Sequence, residues 1–269
     1  MMRRPPRIPR RAAALLGSLG AILVSVVLVL LAWTAFLHVF QVSPLMGKSP
    51  EAVARYLFAG PASPRHRADL LGALAVTLAH AASGFGLGLA LGVVAAVTFV
   101  LSPAAERSLL PVAMILRAVP LVAMTPLIVL VFGRGPAAVS VIGALIVFFP
   151  TVVNMAYGLR SAPALSSDII RVHGGGALMT LRKVALPSAM PALFASMRLS
   201  APAALVGALL AEWLATGTGL GYRMQRDITT FHAADLWSAV VLVTLCSLTL
   251  YAAISLLERL VLARYGSGR

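Results

Sequence analysis

At 269 residues the chain is 60% hydrophobic, only 11% charged, and has a mean hydropathy of +0.95. An ordinary soluble domain is about 25% charged, so a water-facing exterior is excluded and most of the surface must face lipid. The excess of 22 Lys+Arg over 8 Asp+Glu does not read as a nucleic-acid signature, because much of it precedes a long apolar run, where a topology signal belongs.

In chain order, residues 1–11 form a basic tail with Arg3, Arg4, Arg7, Arg10 and Arg11, expected in the cytoplasm. The apolar run 12–37 exceeds the roughly 7–15 residues of a signal-peptide core, so it should persist as a first transmembrane helix. A span needs about 20 mostly apolar residues. Further stretches of that kind lie at 70–101, 108–132, 136–158, 188–211 and 236–257, which predicts an all-α polytopic membrane protein with six spans. The connection 38–69 contains Pro44, Pro50, Pro61 and Pro64 and reads as an extended periplasmic segment with one short helix near Val53–Phe58. In the second span, Gly84 and Gly88 have the spacing that lets helix backbones approach, although glycine is also simply common in membrane helices. Prolines 111, 120, 126, 136 and 150 interrupt or bound the third and fourth spans, either as kinks in the packing or as the walls of a cavity.

Six spans put both termini on one side. With the tail inside, the opposite side holds only Lys48, Arg55, Arg65, Arg67, Arg134, Arg223 and Arg226, so N-in and C-in is expected. The lone Cys246 excludes a disulfide or a CxxC metal pair within one chain, and no metal site is expected.

The segment 160–191 is too long and polar for a tight turn. Ser166 and Ser167 precede Asp168 and suit a helix start, while Gly174, Gly175 and Gly176 stop the helix and allow a sharp turn. A second short helix should then end before Pro187. The first helix sets Ile169, Ile170 and Val172 beside Asp168 and Arg171, so it can dock into a partner's groove or lie on lipid headgroups.

This stretch resembles the signature of the type I transmembrane subunits of bacterial ABC importers: E-A-A, three residues, G, nine residues, I-x-L-P. Asp168, Ile169 and Ile170 stand at the E-A-A positions, Gly174 at the glycine, Val184 at the isoleucine and Leu186-Pro187 at the end. The resemblance covers about 70–262, leaving 263–269 as a cytoplasmic tail. Within the family the chain is similar to the branch importing nitrate, sulfonates, taurine and related solutes, some relatives carrying pyrimidine vitamin precursors. The supporting stretches are Leu116-Arg117 through Pro120, Pro126 through Gly133, Phe148-Phe149-Pro150, Met197-Arg198-Leu199, Ala211-Glu212, Gly219 through Tyr222, and Leu257-Glu258-Arg259. The resemblance implies that Asp168, Ile169, Ile170, Arg171, Gly174, Val184, Leu186 and Pro187 couple to ATPase subunits. It also implies two such subunits that bind the ATP and Mg, a second permease copy, and a periplasmic substrate-binding protein. This chain itself should need no cofactor.

Arg117 and Arg198 fall inside the third and fifth spans, where an arginine at the bilayer centre costs at least about 2.5–3.5 kcal/mol. Either both face a watery path suited to an anion, or each snorkels and supports structure. Glu212 should stand where the fifth span exits, followed by the glycine-rich run 216–221, read as a flexible outer loop. Glu212, Gly219 and Gly221 are thus candidates for an outer gate. No P-loop lysine motif and no converging catalytic set is present, so the chain should not itself be an enzyme. An ion-coupled secondary transporter is the alternative, but it would want carboxylates within its spans, and none of the six is expected to hold one at mid-membrane.

Overall fold

The computed structural model describes the backbone of residues 10–265 and the side chains of residues 20–263. The expected tail arginines Arg3, Arg4 and Arg7, and the end of the C-terminal tail from residue 266, lie outside the described residues. Twelve α-helices follow one another without a strand among the described residues: α1 (Arg10–Val39), α2 (Pro50–Phe58), α3 (Ser63–Leu101), α4 (Pro103–Ala118), α5 (Leu121–Phe132), α6 (Pro136–Arg160), α7 (Ala164–Val172), α8 (Ala177–Thr180), α9 (Leu186–Ser188), α10 (Met190–Ala215), α11 (Gly219–Thr229) and α12 (Ala233–Tyr265). A π-helical turn, Leu181–Ala185, joins α8 to α9.

Local chemistry explains several starts. Ser49 and Ser102 accept from the backbone N–H groups of Ala52 at 3.2 Å and Ala105 at 3.3 Å, and Pro50 and Pro103 follow them in the first turn. Proline there loses nothing, because the first N–H groups of a helix have no internal partner.

The scaffold is α3, α6 and α10. Lipid supplies no hydrophobic drive for helices to associate, so close packing of small residues must do it. A Cβ added at Gly84 would stand 2.8 Å from Gly143 Cα, one at Gly88 2.9 Å from Ala144 Cα, and one at Gly92 2.7 Å from Thr151 Cβ. The glycine spacing is therefore a close-approach face, and it runs one step further than Gly84 and Gly88. The partners advance together along the chain, so α3 and α6 are parallel. Val139, Ile142, Leu205, Ala208 and Ala211 complete the central core where α10 joins them.

The expected third span is not one helix. α4 and α5 meet at a bend of 105°, giving five helices able to cross a membrane, or six if the bent pair counts as one. Pro120 supplies no N–H, and Val119 before it is extended at φ −75°, ψ 125°, as the proline ring requires of its predecessor. Other boundaries moved too, those of α3, α10 and α12 among them. α3 begins at Ser63, inside the stretch expected to be extended, and α10 continues to Ala215. The short helix in the first connection is present as α2.

α1 meets the other helices near its end, where Trp33 stacks on Trp237 of α12 with ring centroids 5.2 Å apart and the Trp237 indole donates to Met46 O at 2.8 Å. Residues 20–32 of α1 are exposed throughout, as a lipid-facing helix should be. In a Cys246→Ser background, Val27→Cys should resist water-soluble thiol reagents in intact cells. Ala177→Cys should label only after the cytoplasmic side is opened, and Phe231→Cys from outside. Labelling of position 177 from outside would refute this topology.

Candidate coupling segment and membrane-embedded polar groups

The candidate coupling segment hangs from the ends of α3 and α6. Arg160, in the last turn of α6, pairs with Glu106 of α4 at 2.6 Å. α7 starts at Ala164, four residues before Asp168, with Pro163 at its cap; Ser166 and Ser167 lie inside the helix instead of capping it. Pro163 itself is outside the helix, at φ −59° and ψ 124°, and the helix begins at the residue after it.

α7 stops as the glycines predict. Gly174 adopts φ +78°, its N–H donates to Arg171 O at 2.9 Å, and the N–H of Gly175 donates to Ile170 O at 2.8 Å. This crossed pair satisfies carbonyls left open at a helix end, and the left-handed residue is what glycine allows. Gly175 has a different reason: a Cβ there would collide with the Ile170 side chain. Leu165, Ile169 and Val172 stand exposed on α7, and Asp168 and Arg171, 3.4 Å apart, are a solvated pair that adds little stability.

The second half of the segment is an anchor. Leu181 and Ala185 are buried with Ala96, Met155, Leu159 and Ala189, and Leu186 packs against this cluster. Val184 is half-buried and Pro187 exposed. Pro187 does not end the second helix as expected. The preceding turn widens so that Leu186 N–H donates to Leu181 O, five residues back, and a π turn of this kind leaves room for the ring and its missing donor.

The two arginines within spans have different surroundings. Arg198 of α10 donates to Glu258 of α12 at 2.7 Å and lies 5.8 Å above the Tyr251 ring. Arg117, in the last turn of α4, has no carboxylate partner among the described residues. It lines a cavity of about 340 Å³ at the α4–α5 elbow with Pro120, Leu121, Met124, Ile146 and Phe149.

Glu212 lies deeper in the fold than its expected place at the exit of the fifth span. It lies within α10, fully buried, because the helix runs one turn beyond the expected exit. One oxygen accepts from Thr77 Oγ1 and from Gly221 N–H, each at 2.8 Å. The other faces His80 Nδ1 at 2.8 Å. Gly219 and Gly221 are not part of a flexible loop: they form the first turn of α11, where a Cβ on Gly219 would overlap the Glu212 carboxylate and one on Gly221 would overlap Leu209 O. Nothing local in the sequence pointed to Thr77 and His80 except their i, i+3 spacing on one helix face.

A second polar group at the same end also escaped sequence reasoning. Arg223 pairs with Asp235 at 2.8 Å beside Asp227, Tyr56 and His66, around a cavity of about 270 Å³. The Tyr56 ring stacks on His66 with centroids 4.0 Å apart. Burial, then the Asp235 carboxylate, push the Tyr56 phenol above its usual range. Burial and the same neighbour raise Asp227.

Two outcomes follow for stability in detergent. Arg198→Leu or Glu258→Leu alone should lower the melting temperature more than the double replacement, because a single change strands one part-buried charge; additive losses would show that the pair is not coupled. Gly219→Ala should cost more than Gly217→Ala. Both have positive φ, +88° and +72°, a conformation that costs a residue with Cβ about 1–2 kcal/mol, but only Gly219 lacks space. Equal losses would contradict this packing.

Residues 88–267 match the family described as binding-protein-dependent transport system inner membrane component. A probable ABC transporter permease protein of Haemophilus influenzae is 32% identical over 231 residues, covering 84% of this chain and 93% of that protein. A putative aliphatic sulfonates transport permease protein of Bacillus subtilis is 31% identical over 192 residues, or 71% and 69% of the two chains. The methionine ABC transporter MetNI, in an inward-facing conformation, superposes with a TM-score of 0.58 at 20% identity, over 71% of this chain and 94% of that one. The chain therefore belongs to the inner membrane components of binding-protein-dependent transport systems, and its fold is that of an ABC transporter permease.

Proposed function

We propose that this chain forms the membrane path of an ATP-binding cassette importer and takes its energy from partner subunits through α7. The observation that carries this reading is the construction of the coupling segment. An exposed apolar face on α7 is stopped by Gly174 and held by a buried anchor, Leu181–Ala189, packed on the ends of α3 and α6. A helix tethered to the scaffold through the chain on either side of it, and burying none of its own residues, suits a groove on another protein. Two ATPase subunits, binding the ATP and Mg, would receive α7 and its counterpart on a second permease copy. A substrate-binding protein would deliver solute from the periplasm. The chain would then sit in the inner membrane with both termini in the cytoplasm.

The solute is proposed to be a small anion of the sulfonate, nitrate or taurine kind. Arg117 supports this, as a cation with no carboxylate partner among the described residues on an otherwise apolar cavity; an anion there would relieve the cost of its charge. The Glu258 pairing gives Arg198 a structural occupation, so it ranks below Arg117 as a path residue. Glu212, Gly219 and Gly221 would form the fixed side of an outer gate.

The buried Glu212–His80 pair is what favours an ion-coupled secondary transporter instead. That role needs a carboxylate which meets water on alternate sides. Glu212 is fully buried with both oxygens engaged, which favours a fastening role.

Gly174→Val should leave the chain inserted and the ATPase subunits active by themselves, since φ +78° is closed to a β-branched residue and α7 would be turned out of its seat. The ATPase rate of reconstituted complexes, with and without loaded binding protein, checks this. Stimulation should be lost in the variant, because the two sites share free energy only through this contact; normal stimulation and uptake would remove the basis for the coupling assignment.

A further inference from the structure

We infer that Thr77, His80 and Glu212 are positioning residues that fasten α11 to the α3–α10 scaffold. The outer end then opens by movement of the α4–α5 elbow and not of α11. This rests on the transport reading only in supposing that the complex has two states.

The first turn of α11 has an unusual arrangement of donors. A helix begins with N–H groups that have no internal partner, and Thr218 at its cap makes no side-chain bond to them. Two of them are taken up from other helices: Leu220 N–H donates to Thr77 Oγ1 and Gly221 N–H to Glu212, each at 2.8 Å. The Thr77 hydroxyl accepts the first and donates to Glu212 at 2.8 Å, so α3, α10 and α11 share one closed set of bonds. Glu212 is thus a cap borrowed from another helix, its oxygen accepting where a capping side chain of α11 itself would. Gly219 and Gly221 are bare because the carboxylate and Leu209 O occupy the space of their side chains.

The other side of α11 is held as well. Leu220 is buried with Leu70, Leu74 and Ala239, and Arg223 reaches Asp235 of α12. Swinging α11 away would strand a carboxylate and two backbone donors in an apolar interior, each a large penalty. The elbow is held less: its one polar tie to α6 among the described residues is the Glu106–Arg160 pair near the start of α4, with side chains 24% and 49% exposed. α4 buries none of its residues and α5 only Thr125 and Ile128.

Spin labels test this in reconstituted complexes carrying one labelled copy of the chain, with Cys246→Ser. One pair is Leu71→Cys and Ile228→Cys, on exposed positions of α3 and α11; the other is Leu130→Cys and Val153→Cys, on α5 and α6. Between the nucleotide-free complex and the complex trapped with ATP and vanadate, the α3–α11 distance should stay the same while the α5–α6 distance shifts. Adding Glu212→Ala should broaden the α3–α11 distribution, and Glu212→Gln should restore it, because a carboxamide oxygen can still accept from Gly221. An α3–α11 distance that shifts as far as the α5–α6 one, or that stays narrow in Glu212→Ala, overturns the proposal. ATP-driven uptake by the same complexes is measured alongside, and its absence counts against the permease reading separately.

Discussion

Everything in this protein hangs on how closely α3 and α6 approach. In lipid, apolar side chains gain nothing by leaving one apolar medium for another, so contact area alone cannot hold helices together. Gly84, Gly88 and Gly92 let α3 press against Gly143, Ala144 and Thr151, and the dispersion contacts of that seam replace the missing hydrophobic term. Ala96 continues the seam into the cluster that seats Leu181 and Ala185. At the other end the same helix carries Leu70, Leu74, Thr77 and His80 to α10, α11 and α12. One helix therefore sets the position of both the candidate coupling segment and the polar groups at the opposite end.

Much of this was legible. Apolar runs of the right length located the spans, because the thickness of the bilayer allows few alternatives. Gly174 was legible for a similar reason, since few residues tolerate the backbone that ends α7. What could not be read was the consequence of a single proline in a long apolar run. Pro111 and Pro126 lie within helices, whereas Pro120 sits between two, and composition does not distinguish a proline that kinks from one that ends. The early start of α7 belongs to the same class, since Pro163 and the two serines compete to begin it.

The polar groups were harder because their partners are remote in sequence. Glu212 meets Thr77 and His80 across more than a hundred residues, and only the folded chain makes that neighbourhood. A glutamate near a helix end, followed by glycines, is ambiguous until one sees that the glycines make room for it. The same holds for Arg198, whose charge is matched by Glu258 on α12, sixty residues further along the chain.

The tryptophan stack has a consequence for where these charges lie in the bilayer. Trp33 and Trp237 carry the amphipathic rings that settle at the headgroup level, so they mark one boundary of the hydrocarbon layer. A helix rising 1.5 Å per residue crosses that layer of roughly 30 Å in about 20 residues, and such a count along α12 from Trp237 arrives at Glu258. The Arg198–Glu258 pair thus lies at the opposite water boundary, where both groups keep partial hydration and no aqueous channel is needed to accommodate them. Glu212 is about four turns further along α10 from Arg198, short of the tryptophan plane and within the hydrocarbon. The two pairs live in different solvents: one tolerates its depth through water, the other only through the bonds that close around it.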